Sequence, residues 1–118
     1  MPMNTPTGPT TINVSANATL GNILVDGKGM TVYTYDKDTA GTSTCTGACA
    51  AIWPAVLTNG APTGGTGVDS SKLGTISLPD GSSQVTYNSK PLYYYSKDMA
   101  AGDVNGNGVG GVWHVVAP

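Results

Sequence analysis

The sequence predicts an all-β protein with only minor helical turns, a compact small sandwich or barrel built from two duplicated hairpin–loop–strand units. Three observations predict it: a turn-rich composition, short β-prone runs between turn residues, and an internal repeat. Of 118 residues, 17 are Gly and 8 are Pro, with 16 Thr, 9 Ser and 8 Asn. Leu, Ile and Val together supply 21 residues and Phe none, so six Tyr and two Trp must provide the remaining apolar bulk. Low aliphatic content signals disorder only when net charge is high, and here it is −2. The length suits one domain and is too short for two separate cores.

The repeat is the most informative feature. At an offset of 60 residues without gaps, Tyr33 falls on Tyr93, Tyr35 on Tyr95, Lys37 on Lys97, Asp38 on Asp98, Ala40 on Ala100 and Trp53 on Trp113. Each copy reads Tyr-x-Tyr-x-Lys-Asp, a loop, then an aliphatic residue and Trp. The predicted organisation is a Pro/Thr-rich linker over 1–10 and a single β domain over 11–118, with repeats at about 20–58 and 73–117. Pro2, Pro6 and Pro9 favour an extended tether, of the kind left when a leader has been removed.

The elements follow in order. Residues 22–26 and 30–36 are β-prone and flank Asp26-Gly27-Lys28-Gly29, a hairpin turn. Residues 46–52 suit one or two helical turns before Pro54. Residues 59–71 read as a flexible joint between the copies. Residues 73–78, 84–88 and 91–96 form a meander, with turns at Pro79-Asp80-Gly81 and Asn88-Ser89-Lys90. Residues 112–116 make a last strand, and 11–20 an added edge strand. Because strands have period 2, the two Tyr of each Tyr-x-Tyr share one face.

These residues resemble a known family, the bacterial lipoproteins with a secreted repeat of unknown function, described by Tyr-x-(Phe/Trp/Tyr)-x-x-Asp. The matches are Tyr33-Thr-Tyr35-Asp-Lys-Asp38, Cys45-Thr-Gly-Ala-Cys49-Ala-Ala-Ile-Trp53-Pro54 and Tyr93-Tyr-Tyr95-Ser-Lys-Asp98. Gly102-Asp103 and Gly108-Val-Gly-Gly-Val-Trp113-His114-Val-Val116 complete the set, so the resemblance covers about 20–117. It implies an exported bacterial protein, periplasmic, secreted or at the cell surface, and often lipid-anchored in its precursor. It implies no established activity.

Each chemistry-bearing group has a structural and a functional reading. Cys45 and Cys49 form a disulfide that shapes the loop before Trp53, in an oxidising compartment; the competing reading is a redox pair or soft-metal site. His114, the only histidine, is a hydrogen-bonded structural residue or a copper or haem ligand, with Met30 or Met99 as a partner. Asp103, Asn105, Asn107 and Gly108 match the opening of a calcium loop, but His114 stands where the bidentate Glu belongs. Asp38 and Asp98, being repeat-equivalent, are expected to cap turns rather than to act as an acid–base pair. Tyr33, Tyr35, Tyr93, Tyr95, Trp53 and Trp113 are expected in the core. Tyr87 and Tyr94, off the repeat pattern, are expected at the surface or in a shallow binding groove. In the second copy Asn105 and Val109 stand at the positions of the cysteines.

Several function classes drop out. The chain has no Arg and a pI near 4.8, so nucleic acid is not expected. No apolar run approaches the ~18 residues of a membrane-spanning helix. No nucleophile elbow, phosphate loop or haem-attachment motif is present. The expectation is a non-catalytic exported module that binds an envelope protein or a surface polymer, with no cofactor. The alternatives are an envelope redox or metal accessory handling copper or haem, and a subunit that self-assembles through the edge strand over 11–20 into a homo-oligomer.

Overall fold

The computed structural model describes residues 8–118 apart from 40, 46, 66, 79 and 80. Most of the predicted linker, the Ala40 match and the Pro79-Asp80 turn therefore lie outside the described residues. Among the described residues the protein is all-β, with one short α-helix and two 3-10 turns.

β1 (Thr11–Asn17) and β2 (Gly21–Asp26) form an antiparallel hairpin that runs from Ile12↔Asp26 to Asn17↔Gly21. The Asn17 side chain closes its turn by accepting the N–H groups of Thr19 and Leu20, both at 2.9 Å. β3 (Tyr33–Tyr35) follows, then α1 (Ala48–Ile52), β4 (Leu57–Thr58) and β5 (Thr63–Gly64). The second half repeats the plan. β6 (Leu73–Ser77) and β7 (Ser83–Tyr87) form the matching hairpin, β8 (Lys90–Pro91) pairs β7, and β9 (Trp113–Val115) ends the chain.

Three sheets result, in the orders β2-β1-β5, β3-β9, and β4-β7-β6 with β8 also on β7. The hairpin expected from 22–26 and 30–36 is reduced to a Val25↔Thr31 bridge, since β2 pairs β1 and β3 pairs β9, and of the strand expected over 91–96 only Pro91 lies in a strand. Two further sequence expectations change here. The edge strand expected over 11–20 is interior at its start, because β5 runs parallel beside Thr11 and Ile12. The stretch expected as a joint is anchored for the same reason. Thr63 N–H donates to Thr10 O at 3.0 Å and Gly65 N–H to Ile12 O at 2.8 Å. Thr10 is fixed in turn by Thr58 Oγ1 and Leu57 O. The Gly/Thr composition signalled a loop, but a short extended segment of small residues also fits closely against a sheet edge.

The core has two parts. Ile12, Leu24, Val32, Val56, Val85, Tyr87 and Leu92 make an aliphatic layer. Tyr33, Cys45, Trp53, Tyr93, Tyr95 and Trp113 make an aromatic one. Each copy contributes to both. The Trp strand of each copy pairs with the Tyr-x-Tyr strand of the other: Asp36 N–H donates to Val112 O at 2.8 Å, and Ser96 N–H to Ile52 O at 2.9 Å. Tyr33 and Tyr93 bond to each other through both N–H and C=O groups, at 2.8 and 2.9 Å, which marks the pseudo-twofold.

Candidate functional site

The motif residues meet where the copies cross. Alternation along β3 turns Tyr33 and Tyr35 to one side, and the pseudo-twofold places Tyr93 and Tyr95 opposite them. Tyr33 Oη donates to Asp98 Oδ2 at 2.5 Å, and Tyr93 Oη donates to Asp38 Oδ2 at 2.5 Å. Each tyrosine therefore bonds the aspartate of the other copy. The second carboxylate oxygens hold the following loops. Asp38 Oδ1 accepts Thr44 N–H at 2.7 Å, and Asp98 Oδ1 accepts Asn105 N–H at 2.9 Å.

Four rings stack between these bonds in the order Tyr35, Trp113, Trp53, Tyr95. The centroid spacings are 4.2, 3.7 and 4.1 Å, and the interplanar angles 12°, 2° and 20°. Tyr33 meets Trp53 edge-on at 5.6 Å, and Tyr93 meets Trp113 edge-on at 5.2 Å. Edge contacts at these distances each add about 0.5–1.5 kcal/mol beyond the area they bury.

The loops differ between copies. Cys45 and Cys49 are joined in a disulfide, and no free cysteine remains. With both sulfurs bonded, the pair presents no thiolate for copper. Tyr93 takes a hydrogen bond from the Cys45 backbone, and Tyr33 takes the corresponding one from Gly106 N–H at 3.2 Å. Gly106, not Asn105, is thus the spatial counterpart of Cys45, while Asn105 answers to Thr44. The ungapped alignment slips by one residue in this loop and returns to register at Trp113. Gly106 is the position where absence of a side chain matters. A Cβ there would stand 2.9 Å from Trp53 Cη2 and Cζ3 and from Tyr33 Cζ.

The calcium-loop oxygens serve the backbone. Asp103 Oδ2 accepts Met99 and Ala100 N–H at 2.9 and 3.1 Å, and Asn107 Oδ1 accepts Val115 N–H at 3.1 Å. Asn105 Nδ2 donates to Lys97 O. His114 Nε2 pairs with Asp36 Oδ2 at 2.8 Å on the surface. Among the described residues no three His, Cys, Asp or Glu side chains cluster as a metal site.

Tyr87 and Tyr94 depart from expectation. Tyr87 is 3% exposed and belongs to the aliphatic core. Tyr94 is half-buried, and its hydroxyl donates to Asp26 Oδ2 at 2.7 Å. With no Phe in the chain, these rings are needed as filling. Sequence reasoning missed Asp26, which is 7% exposed and also accepts Lys28 and Met30 N–H. Its signal was an Asp opening an Asp-Gly turn, which commonly accepts backbone N–H groups two to four residues on.

The family pattern matches residues 14–57 and 74–117, once per copy, and together these spans are most of the chain. The chain belongs to the family described as a secreted repeat of unknown function. No curated protein and no solved structure matches. In this secreted repeat the motif tyrosines, aspartates and tryptophans make one shared core.

Burial shapes the ionisation of that core. Burial first, then the neighbouring carboxylates, hold the Tyr33, Tyr93 and Tyr94 phenols far above their ordinary value. Burial also raises the Asp98 carboxyl, against the opposing pull of its bonds from Tyr33 and Asn105. All these shifts favour the protonated form in the folded state. The Asp98 contribution to stability is therefore full below the ordinary carboxylate pKa and is lost as pH rises through the raised one. For the tyrosines it is full below about pH 10 and lost above.

In an alkaline titration of the native protein, Tyr33, Tyr93 and Tyr94 should give no phenolate absorbance near pH 10. Theirs appears only as the fold is lost, and six equivalents in a still-folded protein would contradict the buried pairs. A second expectation concerns the close approach at Gly106. Gly106→Ala destabilises by about 1–3 kcal/mol, because the methyl group meets rigid rings. An unchanged denaturation midpoint would show that the site has room.

Proposed function

We propose that the chain is a non-catalytic extracytoplasmic module that binds or builds, tethered by its N-terminal segment and lipid-anchored in its precursor. The observation that carries this is how the reactive groups are engaged. Tyr33, Tyr93, Asp38 and Asp98 are spent on the crossed bonds, and Tyr35, Tyr95 and the tryptophans on the stack. The cysteines are spent on the disulfide. The lone histidine makes a surface pair with one aspartate, the kind of contact that contributes little. The family is described as secreted, which suits a disulfide-bonded protein. Among the described residues, no helix is long and apolar enough to cross a membrane.

The test sets this function against a metal or redox accessory. Protein isolated from the producing cells without reductant should carry no free thiol in denaturant. Its thermal midpoint should not move with copper, calcium or haem, whereas a site filled to about 100 times Kd adds about 2.7 kcal/mol. A saturable rise that disappears in His114→Ala, or two free thiols in the isolated protein, would overturn the proposal.

A further inference from the structure

The two hairpins are equivalent, but their outer edges are not. In the first copy, β5 lies against the start of β1, and Gly65 just after it donates its N–H to the Ile12 carbonyl. In the second copy nothing among the described residues pairs with the outer side of β6, which ends its sheet. The direction of its free groups follows from β7. Val85 uses its N–H and C=O on the far side, toward Val56 and Leu92, at 2.7 and 3.0 Å. Thr75 faces Val85 in register, so the N–H and C=O of Thr75 point outward, and by alternation so do those of Leu73 and Ser77.

Between Lys72 and Pro79 in the sequence, the edge carries no charged or proline residue of its own. Residues 73–78 read Leu-Gly-Thr-Ile-Ser-Leu, and Thr75 and Ser77 are exposed. It is also complementary to itself. Two β6 strands placed antiparallel about Thr75 set Thr75 against Thr75 and Leu73 against Ser77 as hydrogen-bonded pairs, the positions whose backbone groups point outward. Gly74 then faces Ile76 across the junction. Beside Gly74 lies a shallow hollow lined by Gly41, Ile76, Thr86 and Ser89, and the Ile76 side chain of a second copy would enter it. No other register centred in this strand joins the outward groups to a glycine-for-isoleucine fit.

The geometry points to β6 as an interface between two copies of this chain, joined edge to edge into one continuous sheet. This inference rests on the module proposed above and names its partner as a second copy. It moves self-assembly from the expected edge at 11–20, partly covered by β5, to residues 73–77.

Sedimentation of the full chain over a wide concentration range tests it. The native protein should pass from monomer to dimer. Thr75→Lys sets two like charges face to face and should weaken dimerisation by roughly tenfold. Thr75→Pro removes an N–H that β7 does not use, so it should abolish the dimer and leave the fold intact by circular dichroism. Under mild oxidation Thr75→Cys should give a covalent dimer, since facing Cα atoms lie about 5.5 Å apart. Ser77→Cys should not, its two copies standing about 13 Å apart at the strand repeat. A native protein that stays monomeric throughout, or a dimer indifferent to Thr75→Lys and cross-linked equally by both cysteines, would overturn the interface. A monomer with no cofactor response would do so while leaving the module itself standing.

Discussion

The fold depends on a crossed pair of hydrogen bonds, in which the tyrosine of each copy donates to the aspartate of the other. Hydrogen bonds to charged groups contribute about 1.5–3 kcal/mol, against a total stability of about 5–15 kcal/mol for a domain of this kind. Two such bonds, with the ring stack between them, are therefore a large fraction of what holds the protein together. They also explain why the copies are fused. A half of this size buries so little surface that it is marginal by itself, and here neither half keeps its own motif partners. The tyrosine lies in one copy and its carboxylate in the other.

Pseudo-symmetry makes the departures informative. At the loop before Trp53 the first copy has a cysteine, closed by a disulfide over a separation of 4 residues. At the matching place the second copy has Gly106, fitted against two rings. Two different loops deliver the same backbone hydrogen bond to the motif tyrosine of the other copy, which is evidence that both serve the core. Asp98 is 5% exposed and its partner Tyr33 fully buried, while Asp38 is half-buried with the Thr44 hydroxyl as an additional donor. The second copy's motif carboxylate therefore sits deeper. The hairpin edges differ as well, one covered by the connection between copies and one unpaired among the described residues.

Much of this was legible in the sequence. Tyr-x-Tyr spacing implied a shared face, and the recurrence of Tyr, Asp and Trp revealed the duplication and the membership of the core. The β6–β7 hairpin and the last strand fell near their predicted places because glycine and Asx turns bound them, whereas β2 found its hairpin partner in β1 and kept only a Val25↔Thr31 bridge to the segment expected beside it. The crossing was not legible. Nothing in Tyr33 or Asp98 distinguishes a partner 5 residues away from one 65 away, since both offer the same chemistry. The burial of Tyr87 and Tyr94 escaped the repeat pattern because neither ring recurs in it, whereas a chain without Phe fills space with any ring it has. β5 was hidden because two residues of Thr and Gly carry no periodicity. The slip at Asn105 and Gly106 was masked by an ungapped alignment that recovers its register at Trp113.

The central claim is that the core is built by exchange between the copies. A double-mutant cycle measures it most directly. Tyr33→Phe and Asp98→Asn, alone and together, should show a coupling energy of about 1 kcal/mol or more in chemical denaturation, and the cycle of Tyr33→Phe with Asp38→Asn should be additive within about 0.5 kcal/mol. Coupling to Asp38 and additivity with Asp98 would place each tyrosine with the aspartate of its own copy and would contradict the exchange.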